Sequence, residues 1–304
     1  MSAIIASLAG VISSPSFRWV ALTMMCACWL LPAQAQTTRV LIVGDSWAEE
    51  QWLDGAHQRV FTANGLSQFN VDGATTTESG STAAEWSTPG FLQRIGDALN
   101  AQPTIDTVQL TVGGNDFLDA WTVNLSASEV MTLQMDILDD LIVITDFILS
   151  QRPDIEVLLS FYDYPNFVDT LGGITGLFFC QPLLNDLGNP TPLQINRAAN
   201  DFIGVYALLA DDPRIQFVDH AGLMQFAFGF PDQGIQPGDL KPPGDLNRPT
   251  PQAALRTRLA PNDDCFHLSA NGYDVLVGNL FDQYLLQRLD GVFRSGFESQ
   301  PSIP

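Results

Sequence analysis

The segment RVLIVG at residues 39–44 decides the fold expected for this chain of 304 residues. It is a short, continuous apolar run that ends in glycine, which is typical of a strand buried on both faces of a parallel sheet. Similar runs follow it along the chain, the first of them weaker than the others: 68–72, 107–112, 155–161 and 215–218. Together these runs predict a central, mostly parallel five-stranded sheet.

Stretches with helical periodicity separate the predicted strands. Ser126 and Glu129 have the spacing of a capping box, after which apolar residues recur at every third or fourth position as far as Ile148. Similar stripes cover 193–209 and 269–288. Alternation of strands and helices predicts the α/β class, with helices on both faces of the sheet in a three-layer α/β/α sandwich.

One internal segment, residues 229–264, lacks this alternation and is rich in proline and glycine. A loop of this length inside a compact domain is uncommon and often functional. Its position ahead of a histidine motif suits an insertion that faces the substrate, and a variable surface excursion is the alternative that the sequence leaves open.

The first 35 residues have the composition of an export signal. They contain no acidic residue, and Arg18 is followed by an apolar run at 19–31 that is too short to span a bilayer. Small residues at 33 and 35 predict cleavage after Ala35. We therefore expect an exported protein (periplasmic, secreted or on the cell surface) without a stable membrane span after cleavage. The expected parts are a signal peptide at 1–35, a domain at 36–290 and a tail at 291–304, and a buried N-terminal helix is the alternative for the first part.

Charge and cysteine content narrow the classes of partner. The 13 Lys and Arg residues against 34 Asp and Glu residues give a formal net charge of −21 at pH 7, which argues against nucleic acid as a partner. Beyond the predicted cleavage site the chain has Cys180 and Cys265. In an oxidising compartment we expect one disulfide, with two buried free thiols as the alternative. No metal-site spacing or phosphate loop occurs, so the sequence predicts no metal and no cofactor.

Three polar motifs stand at the ends of predicted strands or just before the last helix. GDS at 44–46 follows the first strand, GGND at 113–116 follows the third, and DCFH at 264–267 precedes the last helical stretch. Ligands of open α/β sheets bind beyond the carboxyl ends of the strands. Serine, an asparagine amide and an Asp–His pair are groups that nucleophilic catalysis uses. Each motif alone is as well explained by an ordinary turn or a helix cap.

In this order the three motifs resemble those of the SGNH, or GDSL-like, hydrolase superfamily, and the resemblance extends from residue 39 to about residue 289. It implies the SGNH-hydrolase, flavodoxin-like form of the three-layer fold. It also implies that Ser46 is the nucleophile, His267 the base and Asp264 the carboxylate that orients the base.

The resemblance further implies an oxyanion hole. Its donors would be the backbone N–H of Ser46, the side-chain amide of Asn115 and the backbone N–H of a glycine after the second strand. Gly80 is preferred, because SGST at 79–82 is most similar to the family pattern, and Gly73 is the alternative.

The function implied is that of an exported serine hydrolase that cleaves carboxylic esters through an acyl-enzyme intermediate. A serine hydroxyl is a poor nucleophile near neutral pH, and an imidazole such as that of His267 can accept its proton. The alternatives are a carbohydrate O-acetyl esterase or an acyltransferase of the same fold, and a non-catalytic domain that binds glycans or partners. Trp47 stands where the GDSL subgroup usually has leucine, so the substrate range of that subgroup is not transferred.

Other polar residues near the motifs are expected to have structural roles. Asp116 would cap or buttress the turn that carries Asn115, and Asp263 would be solvated or capping. His220 is expected to be structural, and His57 is expected to lie on the surface.

Overall fold

The computed structural model describes residues 36–173, 176–257 and 264–290. The predicted signal peptide at 1–35, the predicted tail at 291–304 and Asp263 lie outside the described residues.

A five-stranded parallel sheet forms the centre of the fold, as the sequence predicted. Its strands are β1 (Thr37–Gly44), β2 (Phe69–Asp72), β3 (Thr107–Thr111), β4 (Glu156–Ser160) and β5 (Ile215–Val218). They are hydrogen-bonded in the order β2-β1-β3-β4-β5, and every neighbouring pair is parallel. The order reverses at β1, and ligands of such sheets bind at this switch point.

Helices connect the strands as the periodicity predicted. The capping box of Ser126 and Glu129 is present at the start of a 25-residue helix. None of the helices that the structure describes is long and apolar enough to cross a membrane. The α-helices are α1 (Ser46–Leu53), α2 (Ala56–Ala63), α3 (Ala83–Trp86), α4 (Pro89–Ala101), α5 (Gly114–Ala120), α6 (Ala127–Gln151), α7 (Gln181–Asp186), α8 (Pro192–Tyr206), α9 (Leu223–Phe228) and α10 (Ala270–Leu280).

Alternate residues of β1 enter two separate hydrophobic cores. Leu41 and Val43 pack on the side covered by α4, α6 and α8. Val40 and Ile42 pack on the opposite side, against α1, α2 and α10. Because successive side chains of a strand point to opposite faces, a sheet covered on both sides has no polar face. The predicted three-layer sandwich is therefore confirmed.

Buried side-chain amides hold the described part of the proline-rich segment, residues 229–257, against the domain. Asn196 Nδ2 donates to the carbonyls of Leu246 and Arg248 at 3.0 and 2.8 Å. Gln225 Nε2 also donates to the Arg248 carbonyl, at 2.7 Å. Backbone carbonyls outside regular structure need such partners when they are buried. The segment therefore follows a defined path, with two short 3-10 turns at Pro231–Gln233 and Gln252–Ala254.

Cys180 and Cys265 are joined by a disulfide, with Cα atoms 5.9 Å apart. Both side chains are buried. Cys265 lies between Asp264 and His267, and its carbonyl accepts from the backbone N–H of Asn166 at 2.7 Å. The bond thus ties the predicted Asp–His motif to the segment around residue 180.

We expect loss of this disulfide to lower the stability of the fold. The bond closes a loop with a sequence separation of 85. Because the bond restricts the unfolded chain, its removal should lower the free energy of unfolding by up to about 4.5 kcal/mol. Urea unfolding of Cys180→Ser, Cys265→Ser and the double variant measures this change. The free energy of unfolding should fall by about the same amount in the double variant as in either single variant. Finding both thiols free by mass mapping of the protein, purified without reductant, would contradict the expectation.

His57 is buried, so the prediction that it lies on the surface is wrong. Its Nε2 lies 2.7 Å from Gln109 Oε1, and Gln109 Nε2 donates to Gln51 Oε1 at 2.9 Å. The spacing of four residues between His57 and Phe61 places both on the buried face of α2, a signal that the sequence did contain. Burial lowers the pKa of His57 to about 4.

His220 is also buried, where its ring nitrogens lie 3.1 Å from Ser160 Oγ and 3.1 Å from Asn279 Nδ2. Burial lowers the pKa of His220 to about 3. These contacts fit the structural role expected for it.

The buried imidazole of His57 should make stability depend on pH. The imidazole of His57 binds a proton near pH 6.5 in the unfolded chain but only near pH 4 in the folded chain. The free energy of unfolding therefore falls as the pH drops below 6.5. Between pH 7 and pH 5 this group contributes a loss of about 2 kcal/mol.

Urea unfolding of wild type and His57→Gln at both pH values isolates this contribution. The comparison is needed because burial raises the pKa of Asp45 and Asp163 to about 7. Protonation of these carboxyl groups increases the free energy of unfolding as the pH falls from 7 to 5, which opposes the effect of His57. The same change with pH in both proteins would show that His57 is not responsible.

Candidate active site

Ser46 follows a close approach between β1 and β3. Gly44 pairs with Thr111 and has φ +143°, and a Cβ atom on it would lie 1.8 Å from the Thr111 carbonyl oxygen. Only glycine fits such a position. The next residue, Asp45, donates its N–H to the same carbonyl at 3.0 Å, and Ser46 begins α1. The serine is therefore held at the carboxyl edge of the sheet, at the switch point in strand order.

Asp45 links the turn after β1 to the turn after β3. Its carboxylate accepts from the N–H of Trp47 at 3.0 Å and from the hydroxyl of Tyr162. That hydroxyl accepts in turn from the N–H of Gly114 at 2.9 Å. Burial raises the pKa of Asp45 to about 7, although these hydrogen bonds act to lower it. Tyr162 lies in none of the predicted motifs, and a contact across 117 residues has no local signal in the sequence.

His267 lies in the loop before α10, with Nε2 2.8 Å from Ser46 Oγ. Its Nδ1 lies 3.1 and 3.2 Å from the two carboxylate oxygens of Asp264, which also accepts the backbone N–H of His267 at 2.9 Å. Burial acts to raise the pKa of Asp264, but the hydrogen bonds and charge of His267 outweigh it and hold that pKa well below its ordinary value. The structure thus brings together the three residues that the sequence assigned to the reaction.

The backbone of a neighbouring segment orients the Asn115 side chain. Its Nδ2 donates to the carbonyl of Ser81 at 2.8 Å, which leaves the second amide hydrogen for another acceptor. The Asp116 carboxylate accepts the N–H groups of Ala83 and Ala84 at 2.7 and 3.3 Å. Asp116 therefore buttresses the turn of Asn115 by fixing it to the start of α3.

Of the two candidate glycines, Gly80 borders the same cleft as Ser46. Its loop is held there because the N–H of Glu78 donates to the last carbonyl of β1 at 2.9 Å. Gly73 instead packs against Trp52, whose Cγ would lie 2.9 Å from a Cβ at that position. Within the described chain, the backbone N–H groups of Ser46 and Gly80 have no acceptor.

These groups can perform nucleophilic chemistry. An imidazole in hydrogen-bond contact with a hydroxyl can accept its proton, and nearby N–H donors can stabilise an oxyanion. In the ranges 36–173, 176–257 and 264–290, no group of His, Cys, Asp and Glu side chains could hold a metal ion.

Two cavities meet at Ser46. The first, which we call the apolar cavity, has a volume of about 80 Å³, and its lining is almost entirely apolar. The second, which we call the open cleft, is bordered by Glu50, Gly80, Arg256 and His267. Arg256 is the one residue from the described part of the proline-rich segment that borders either cavity. The apolar wall consists mainly of residues from α5 and α8 that no sequence motif indicated: Phe117, Leu118, Ala199, Phe202, Ile203 and Tyr206.

Solved structures share this fold at low sequence identity. A Streptococcus pneumonia protein whose name refers to platelet activating factor is 17% identical, with a TM-score of 0.51 over 87% of this chain and 98% of that one. A carbohydrate acetylesterase from Sinorhizobium meliloti is 15% identical, with a TM-score of 0.46 over 83% and 99%. An extracellular lipase from Streptomyces rimosus is 19% identical, with a TM-score of 0.46 over 81% and 99%. At such identities the likeness concerns the fold alone.

Similarity in sequence is found at the level of the family. No curated protein matches this chain. The sequence profile of the GDSL-like lipase/acylhydrolase family matches residues 42–275, a range that contains Ser46, Asn115 and His267. The chain therefore belongs to the GDSL-like lipase/acylhydrolase family, as the resemblance of its three motifs predicted.

Proposed function

We propose that this protein is an exported serine esterase that hydrolyses carboxylic esters through a covalent acyl-enzyme. The observation that carries the proposal is the 2.8 Å distance between His267 Nε2 and Ser46 Oγ, with Asp264 on the opposite ring nitrogen. A base within hydrogen-bond reach of the hydroxyl is the geometric requirement for activating a serine.

In the first half of the reaction, Ser46 Oγ attacks the ester carbonyl carbon and its proton passes to His267 Nε2. The carbonyl electron pair moves onto the oxygen, which becomes an oxyanion. When this intermediate collapses, the bond to the alcohol breaks, and the alcohol leaves with the proton from His267. Asp264 stabilises the imidazolium that exists between these two steps.

In the second half, water attacks the acyl group on Ser46 and gives a proton to His267. Cleavage of the acyl–Oγ bond releases the acid, and His267 returns the proton to Ser46. Both halves pass through an oxyanion at the same position, so the same donors serve twice.

The proposed donors to that oxyanion are the N–H of Ser46, the N–H of Gly80 and the amide of Asn115. Gly80 is preferred to Gly73 because it borders the cleft beside Ser46, whereas Gly73 packs on Trp52. Donors already fixed by the fold need little reorganisation when the charge develops. The hydrogen bond from Asn115 to Ser81 supports this role, since it holds the amide in place.

We also infer that residues 1–35 are removed as a signal peptide, that 36–290 form the hydrolase domain and that 291–304 are an appended tail. The disulfide between Cys180 and Cys265 supports an exported location, because disulfides persist in oxidising compartments.

Replacing the nucleophile should abolish both chemistry and covalent labelling. A fluorophosphonate probe should label the wild type and not Ser46→Ala, and turnover of p-nitrophenyl esters should fall by roughly 10⁴-fold or more. Ser150→Ala, an exposed serine on α6, is the matched control and should change neither readout. A wild-type protein that is folded but neither labelled nor active would favour the non-catalytic binding domain instead.

Removing the Asn115 amide should slow the chemical step. We expect Asn115→Ala to lower kcat by roughly 10²–10³, with little change in KM, since the amide binds charge that exists only in the transition state. Steady-state kinetics test this, with the exposed Asn100→Ala on α4 as the control. An increase in KM at constant kcat would assign Asn115 to substrate binding and contradict the oxyanion role.

A further inference from the structure

The two cavities beside Ser46 differ in their chemistry. Three residues, Ser46, Asn115 and Phe266, line both of them. His267 and Gly80 border only the open cleft, together with the ion pair of Glu50 and Arg256. The hydroxyl of Ser46 therefore stands at the boundary between an open cleft of mixed polarity and an apolar, more enclosed cavity.

The two carboxylates at the apolar cavity have partners within the protein, whereas the buried hydroxyl of Tyr206 has none among the described residues. The Asp45 carboxylate accepts from Trp47 and Tyr162. The Asp163 carboxylate accepts backbone N–H groups, including that of Met224 at 2.6 Å. A ligand in this cavity thus meets mainly aromatic and aliphatic side chains from α5 and α8, where Phe117 and Phe202 pack with ring centroids 4.6 Å apart.

The positions of the base and the oxyanion donors decide which part of an ester occupies each cavity. Around the attacked carbon, the oxyanion must point to the N–H of Gly80, and the leaving oxygen must reach His267 Nε2 to receive its proton. Both of these residues border the open cleft and neither lines the apolar cavity. The one remaining substituent of the carbon, the acyl chain, is left to enter the apolar cavity.

We propose, on the basis of the serine esterase function above, that the apolar cavity is the acyl-chain site and that the preferred substrates are esters of medium-length aliphatic acids. The alcohol lies in the open cleft, where polar groups and solvent are available to it. An acetyl group would leave most of the apolar wall without contacts, so acetyl esters are poor substrates.

The preference should appear as a dependence of rate on chain length. Burial of one methylene group contributes about 0.8 kcal/mol. Each methylene that moves from water to the apolar wall should therefore increase kcat/KM about fourfold. Four methylenes separate hexanoate from acetate, so p-nitrophenyl hexanoate should exceed the acetate by roughly 10²-fold in kcat/KM. Both esters are measured below the concentration at which they aggregate.

Narrowing the cavity should remove this preference. Ala199→Phe on α8 and, as an independent variant, Leu118→Phe on α5 should each lower the hexanoate-to-acetate ratio of kcat/KM at least tenfold. Ala101→Phe, the same change at an exposed position of α4, is the control and should leave the ratio at the wild-type value. Thermal unfolding identifies the variants that are folded, and either folded variant suffices for the test.

The outcomes separate this inference from the function on which it rests. A hexanoate-to-acetate ratio of kcat/KM near one in the wild type, with Ser46 still labelled, would overturn the acyl-chain site. It would not contradict the proposed esterase function. A high wild-type ratio that neither folded cavity variant reduces would overturn it as well, because the preference would then arise elsewhere. Absence of both ester hydrolysis and Ser46 labelling would overturn the esterase and the acyl-chain site together.

Discussion

The candidate active site depends on the approach of β1 to β3 at Gly44. A side chain at this position would collide with the carbonyl of Thr111, the same carbonyl that accepts the N–H of Asp45. Because these two strands are neighbours at the switch point of the sheet, the residues that follow them emerge side by side. Ser46 and Asn115 thus share one edge although they are distant in sequence. A wider spacing of the strands would separate the proposed nucleophile from a proposed oxyanion donor.

Hydrogen bonds connect these two strand ends to the neighbouring loops. The last carbonyl of β1 accepts from Glu78 and so holds the loop of Gly80, and Ser81 in that loop orients Asn115. Tyr162 connects Asp45 with Gly114 from the side of β4. The contacts of Tyr162 and Asn115 are partly buried, where a lost hydrogen bond costs more than it would at the surface. The donors proposed for the oxyanion are therefore positioned before any substrate arrives.

The Asp–His motif reaches the same place by a different route. It lies in a loop ahead of α10, and the disulfide to Cys180 together with the contact of Asn166 to Cys265 restrains it. Asp264 keeps its charge because His267 satisfies it, and the imidazole keeps its orientation because Asp264 occupies Nδ1. Phe266, the neighbour of His267, lines both cavities, so the segment that supplies the proposed base also lies between the spaces proposed for the alcohol and for the acyl chain.

Local patterns in the sequence determined the strands, the alternation with helices and the three motifs, because periodicity and turn chemistry act over a few residues. They also singled out Ser46, Asn115, Asp264 and His267, since each stands in a short motif with its neighbours. The sequence left Gly73 and Gly80 as alternatives, misplaced His57 on the surface and contained no sign of Tyr162 or of the cavity between α5 and α8. Those features depend on contacts between residues that are 30 to more than 100 positions apart in sequence. Only the packing of the helices on the sheet determines such contacts.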